Sequence, residues 1–579
     1  MVGIAEQDRA GLVPAKRAWS ALPRTILTAG HAGISRLPFT RRRRDGNLSY
    51  WPRYARGGRW WPEGSAARLI PSTASGQPAA AAAEIHSGPQ AGTGARVAAK
   101  PWLSRWGIAW LIAAAVAFTL AALLFDSLRI PLFWDESVYA SQISQHVPMG
   151  WGPERARGLP LLVAPVTLLT SSVVVLRVYL VLLAGIGLFL ALLAWRGWYP
   201  DWVVALAGVI FGGLWITQWQ ASLLLPSYWS AIGGMAGVGL FVRAMQRGRM
   251  SPLGIALLAA VAAFTALMRP ADAVVIFGTL LVIAIASGLW RNVVAPVAAP
   301  AGAIVAGLAV GVGEWVVEAE MYFGGLFRRL NGMSAASGGR KLNLLNNLRI
   351  MSGGLVSSVP GFPSIKGWSY PPLSAWWAAF AVLAVIGVYA ASRDHGWLLA
   401  ATPVLCALGV YVLYSLPVRD NTRYLQPMWA LLAVSAAGAI YWLVTASRGR
   451  LRLVAIVAAS LFVAVELGGQ HVVLASANAQ RVTQARGQTA AVQAIRGLGV
   501  RPPCLITSSP VAVQYAVPVA YYLDCNYGYI RSLTQADGRR VVVLVNGGAR
   551  PQPFAQYWPA HRLAKTGGNT VGYVEPGRL

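Results

Sequence analysis

The sequence predicts an all-α polytopic membrane protein of about 11 transmembrane helices, followed by a small extracytoplasmic α/β domain. Three observations lead there. The first is composition: 56% of the 579 residues are hydrophobic and 12% charged, about half the charged share of a soluble domain. The second is that apolar runs of about 20 residues recur, each long enough to cross a bilayer. The third is where the charge lies. The net charge of +29 comes from arginines gathered in an N-terminal tail and in short loops between apolar runs. That is the footprint of membrane orientation, not of nucleic-acid binding, and no nucleic-acid partner is expected.

The elements follow in chain order. Residues 1–100 have no hydrophobic periodicity and are rich in Ala, Gly, Pro, Ser and Arg, with "RRRR" at 41–44 and "AAAAAE" at 79–84. Such a segment buries too little apolar surface to offset its ordering entropy, so it is expected to be a disordered basic cytoplasmic tail. Its arginine run could touch anionic lipid, although a solvated tail is the commoner case. A transmembrane domain over 101–470 has spans at 104–125, 172–195, 200–219, 221–243, 252–269, 272–290, 293–316, 372–392, 396–416, 424–446 and 452–470. With the N-terminus cytoplasmic, the inner loops "RGWYPD", "RAMQRGRMS", "WRN", "SRDHG" and "ASRGRLR" each carry at least one arginine, as the positive-inside bias requires. The long loops 126–171 and 317–371 then lie outside, as does the segment 471–579. In that last segment "TAAVQAIRGLG" reads as helix, and "CLITSS", "AYYLDC", "RVVVLVN" and "TVGYVEP" read as strands. Cys504 and Cys525 sit on two of these runs, where an extracytoplasmic disulfide can form, and Cys406 lies inside a span as a small apolar residue. No metal-ligand spacing of Cys and His occurs.

Polar chemistry gathers at the outer helix ends. In "WDESVY", Asp135 and Glu136 follow directly on the first span. They read either as a helix cap or as acids whose aromatic surroundings impose a raised pKa or a fixed cationic partner, as a general base needs. Arg155 and Arg157 of "PERARGLPLL" share that loop; they suit a phosphate clamp, or pairing with Glu154 or lipid headgroups. Arg269 of "ALMRPADAV" stands at a helix junction broken by Pro270, where it needs an anionic ligand or Asp272. Arg419, Asp420, Arg423 and Tyr424 of "PVRDNTRYLQP" begin a late span, as interface anchors or as part of a ligand site. Glu314 and Glu318 share a helix face and could support Arg269 or Arg423, or bind an acceptor hydroxyl. Arg328, Arg329, Arg340, Lys341 and Arg349 make 317–371 a basic loop, either a lid over an anionic substrate or a plain loop. The span centres stay almost free of charge, whereas a transporter needs ionisable or broken-helix features near the midplane. The arrangement suits an enzyme working on a lipid-anchored phosphate at the outer leaflet.

The outer-loop "WDESVY", the "RARGLP" after it, the "LMRP" at a helix junction and the late "TRYLQP" resemble features of the GT-C superfamily over residues 104–470. These are multi-span glycosyltransferases that use polyprenyl-phosphate sugars, including protein mannosyltransferases and aminoarabinose transferases. The resemblance implies Asp135 as catalytic base with Glu136 assisting, and Arg269, Arg423 and Tyr424 near the donor phosphate. It implies a mannose- or arabinose-like sugar and a glycan, lipid or protein acceptor; no cofactor and no metal-binding residue is expected. It places the chain in the plasma (inner) membrane with an extracytoplasmic site. No dinucleotide-binding glycine fingerprint appears, in keeping with a lipid-carried donor. A flippase or transporter of a lipid-linked glycan, or an envelope polymer ligase or scaffold, would share the spans and the outer domain.

Overall fold

The computed structural model describes residues 106–291, 295–344, 371–416, 422–509, 513–546, 549–564 and 570–576. The predicted tail 1–100, Arg349, Arg419 and Asp420 lie outside them.

The apolar runs fold as a helical bundle. Its elements are α1 (Gly107–Phe125), α2 (Trp134–Ser141), α3 (Gly158–Thr167), α4 (Val173–Leu193), α5 (Asp201–Gly213), α6 (Trp215–Ala221), α7 (Pro226–Arg247), α8 (Pro252–Met268), α9 (Pro270–Arg291), α10 (Ala295–Tyr322), α11 (Leu326–Ala336), α12 (Pro371–His395), α13 (Trp397–Leu413), α14 (Gln426–Ala446) and α15 (Gly449–Gly497). All eleven predicted spans fall on helices. Among the described residues, six helices are long and apolar enough to cross a membrane, seven if the bent pair α5 and α6 counts as one. The other predicted spans fall on α7, on the shorter apolar α8 and α13, and on α12.

Local chemistry sets the helix ends. Ser172 accepts from the Val175 N–H at the start of α4, and Ser251 from Gly254 N–H at the start of α8, where Pro252 stands at the first helical position. Gly248 ends α7 in the left-handed region, at φ 67°. The third predicted span breaks at Leu214, and α5 and α6 meet at 79°.

Small residues bring helices together where lipid offers no hydrophobic drive. Gly307 and Gly311 on α10 lie against α8: a Cβ on Gly307 would stand 2.3 Å from the Ala259 carbonyl oxygen, and one on Gly311 2.6 Å from that of Ala263. Those atoms are backbone and cannot step aside. Gly311→Leu is therefore expected to cost about 1–3 kcal/mol by overpacking and to lower the thermal midpoint in detergent, whereas Gly278→Ala, in open space, leaves it unchanged.

The 49-residue α15 is about 74 Å long, more than twice a bilayer core. It runs unbroken through residues 470 and 471, where the sequence reading puts a domain boundary, and its far half reaches the C-terminal sheet. Along the way Asn478 donates to the Phe125 carbonyl and Gln488 to that of Leu132, which pins the segment leading into α2.

The sheet runs β2-β1-β3-β5-β4, with β1 (Cys504–Ser508), β2 (Asn526–Tyr527), β3 (Arg540–Val545), β4 (Ala560–Ala564) and β5 (Thr570–Val574). β1 is parallel to β2 and β3, while β5 is antiparallel to β3 and β4. The predicted strand "AYYLDC" is corrected: Ala520–Leu523 end the helix α16 (Val513–Leu523), the crossover that parallel β1 and β2 require. Its apolar residues Ala516, Val517, Ala520 and Leu523 repeat at helical spacing and are buried. Cys504 and Cys525 form a disulfide. This domain holds the loop around α2: the Tyr522 hydroxyl accepts from the Leu132 N–H at 2.7 Å, and Asp524 accepts from the Val147 N–H at 3.0 Å.

Candidate active site

The site begins with α2, whose first turn carries both acids, where the helix dipole favours negative charge. The two side chains part company. Glu136 is 2% exposed and points inward. It takes a fork of bonds from Arg177 at 3.0 and 3.2 Å, and accepts from the N–H groups of Phe133 and Leu224. Arg177, fully buried, also donates to the carbonyls of Ile130, Pro131 and Ser222. Every lone pair of Glu136 is spoken for, so it positions α2 and has none left for a ligand.

Asp135 faces the other way and brings distant segments together. Its Oδ1 accepts from Arg155 Nη2 at 2.7 Å and its Oδ2 from Arg423 Nη2 at 2.8 Å. Arg423 comes from a turn 288 residues away. Beside it, the Tyr424 ring stands between Arg423, at 5.2 Å, and Arg269, at 4.2 Å. Arg269 also donates to Ser227 Oγ at 3.0 Å and lies 3.5 Å from Asp272, itself held by Ser230 and Tyr414. Burial raises the Asp135 carboxyl; the guanidiniums of Arg423 and Arg155 outweigh it and hold the group below the usual carboxylate range. Of the two sequence expectations, a raised pKa or a fixed cationic partner, the partner is what the fold supplies.

Arg157 stands at the rim. Its Nε donates to Glu318 at 2.5 Å, its Nη1 to Gln142, and its guanidinium lies over Trp151. Glu318 thus serves Arg157 and Arg329, and not Arg269 or Arg423 as expected. The reason is the turn at Gly324 and Gly325, both at positive φ, which folds α11 back so that buried Arg329 reaches Glu318 at 2.8 Å. Arg329 also donates to the carbonyls of Pro153, Trp315 and Arg155 and so props the loop that presents Arg155. Glu314 makes no hydrogen bond through its buried Oε2.

Asp135, Arg155, Arg269, Arg423 and Tyr424 therefore form one group, with Arg157 at its edge and Glu136 behind it. Sequence reasoning missed Arg177 and the buried Asp126–Arg481 pair, and it read Arg329 only as one arginine of a basic loop and not as the partner of Glu318. For Arg177 a signal existed: an arginine inside the apolar run "VVVLRVYL" demands an anionic partner. Among the described residues, no three His, Cys, Asp or Glu side chains cluster as a metal site would need.

No protein-family model and no curated protein sequence matches the chain. Solved structures do. ArnT from Cupriavidus metallidurans bound to undecaprenyl phosphate is similar with a TM-score of 0.50 and 14% identity, over 82% of this chain and 98% of that one. Its apo state gives 0.51 and 14%, over 81% and 98%. The Archaeoglobus fulgidus oligosaccharyltransferase, solved with zinc and sulfate, gives 0.50 and 12%, over 76% and 68%. The chain thus shares the fold of these structures over most of its length.

Proposed function

We propose that the chain is a membrane glycosyltransferase that moves a sugar, mannose- or arabinose-like, from a polyprenyl-phosphate donor to a hydroxyl of a glycan, lipid or protein acceptor, with inversion. The observation that carries this reading is the bridge of Asp135 to Arg155 and Arg423 at one end of the bundle: a proton acceptor and anion-binding forks within one bond of each other. The fold supports it, because the ArnT structure that shares it holds undecaprenyl phosphate.

The proposed steps follow from these side chains. Arg155, Arg423 and Arg269 bind the donor phosphate, Tyr424 fixes the last two, and Arg157 extends the basic rim. The lipid tail lies between helices open to the outer leaflet. As the bond from the anomeric carbon to the phosphate oxygen breaks, charge grows on that oxygen, and fixed guanidiniums stabilise it without reorganising. Asp135 takes the proton of the attacking hydroxyl on the opposite face of the sugar. The chain sits in the inner membrane with about 11 spans, the site extracytoplasmic and residues 471–579 beside it.

The test is incubation of the purified protein with radiolabelled polyprenyl-phosphate sugars, following loss of each donor. Consumption of one donor with formation of free polyprenyl phosphate is the expected result. No consumption of any donor with any class of acceptor overturns the reading. Impermeant thiol labelling of Trp134→Cys from the outside tests the sidedness.

A further inference from the structure

The forks that hold Asp135 are only half used. Asp135 takes Nη2 of Arg155 and Nη2 of Arg423, while the Nε atoms of both arginines are buried without a hydrogen bond. The Nε of Arg155 lies 3.5 Å from Glu154, and that of Arg423 has no acceptor among the described residues. Nε and Nη2 form one edge of a guanidinium, the edge that grips an oxyanion with two bonds. Two such edges offer four donors. A carboxylate bridging them with one oxygen each fills two. The donor's phosphodiester offers two non-bridging oxygens on a tetrahedral centre, and a third becomes free when its glycosyl bond breaks.

We propose that Asp135 is the resting occupant of the phosphate seat: the donor phosphate displaces its carboxylate from Arg155 and Arg423, freeing it to act as base only while donor is bound, and its return expels polyprenyl phosphate. This rests on the glycosyltransferase reading above and adds the regulation of that site. The proton balance closes. Asp135 receives the acceptor's proton as the new glycosidic bond forms and the old C–O bond gives its electron pair to the phosphate. That proton then passes to the phosphate dianion, the phosphate becomes a monoanion, and the ionised carboxylate competes for the two arginines again. In the empty enzyme each Asp135 oxygen is instead held by one guanidinium.

The groups facing Asp135 are Arg155 and Glu154 from the loop before α3, Arg423 and Tyr424 from the turn before α14, Tyr139 on α2 itself and, one ring away, Arg269. Displacement leaves the partly exposed carboxylate beside an anion and without its cations, and both changes favour the protonated form.

Two measurements on the full chain in detergent test this. Calorimetry with undecaprenyl phosphate compares wild type and Asp135→Asn. Removal of the internal competitor is expected to tighten binding by about tenfold or more, a gain of at least 1.4 kcal/mol. Equal or weaker binding overturns the proposal, while donor consumption by the wild type would still uphold the transferase. The second measurement needs no variant. Binding of a methyl-capped polyprenyl phosphate, which does not titrate near pH 5, is followed in buffers of different ionisation heat. Proton uptake by the wild type is expected; its absence, or failure of the ligand to bind, overturns the displacement.

Discussion

Asp135→Asn is expected to lower turnover of the polyprenyl-phosphate sugar by about 10²–10⁴-fold, the usual contribution of a positioned general base, while donor still binds and the thermal midpoint falls less than in Arg177→Met, because Asp135 is partly exposed and Glu136 is not. Asparagine keeps the shape and one acceptor oxygen, so the contact to one arginine survives and the proton acceptor does not. Radiolabelled donor loss and a melting curve on the same preparation check it. A flippase or transporter working through the same basic groove would keep most of its transport in this variant, so the two classes separate. The pH profile carries a sign of its own. Arg423 and Arg155 hold the free Asp135 ionised below the ordinary carboxylate range, so kcat/KM, which reports the free enzyme, shows no acid limb from this group as pH falls from 7 to about 5. If donor displaces the carboxylate, kcat falls over that interval as the freed group protonates.

Arg177→Met is expected to destabilise the fold by about 3–5 kcal/mol, because it removes one partner of a buried ion pair and leaves Glu136 charged and uncompensated. The loss reaches beyond the pair. Arg177 also donates to the Ile130, Pro131 and Ser222 carbonyls, so the segment entering α2 and the turn after α6 both lose their tether. Thermal unfolding in detergent measures the cost, and Glu136→Gln with Arg177→Met should recover part of it by removing the stranded charge. If the single variant melts like the wild type, Glu136 is not the anchor described above. Asp135→Asn loses chemistry with the smaller loss of stability and Arg177→Met loses stability first, so together they separate the two adjacent acids by role.

That separation was not legible in "WDESVY". Adjacent acids in one helical turn look alike in a sequence; which one faces a cleft depends on what packs against each side. The partners lie far along the chain: Arg177 is 41 residues from Glu136, and Arg423 is 288 from Asp135. Glu314 and Glu318 show the same limit. Their shared face was readable from their spacing, but their partner was not, because the turn at Gly324 and Gly325 delivers Arg329 and no local pattern announces it. The helix misread as strand in "AYYLDC" is a short apolar run, which periodicity alone cannot assign.

By itself the amino-acid order determined the bundle of apolar helices, the gathering of arginines and acids at one set of helix ends, and a C-terminal α/β unit. Hydropathy, helical spacing and charge are properties of neighbouring residues, and lipid sorts them without reference to the rest of the chain. Only the tertiary structure decided that Asp135 lies between two guanidiniums with unused donors, that Glu136 is a buried strut, and that Cys504 meets Cys525. Each of these is a contact between segments whose separation in sequence carries no energy of its own, and close packing of the helices is what brings them within bonding distance.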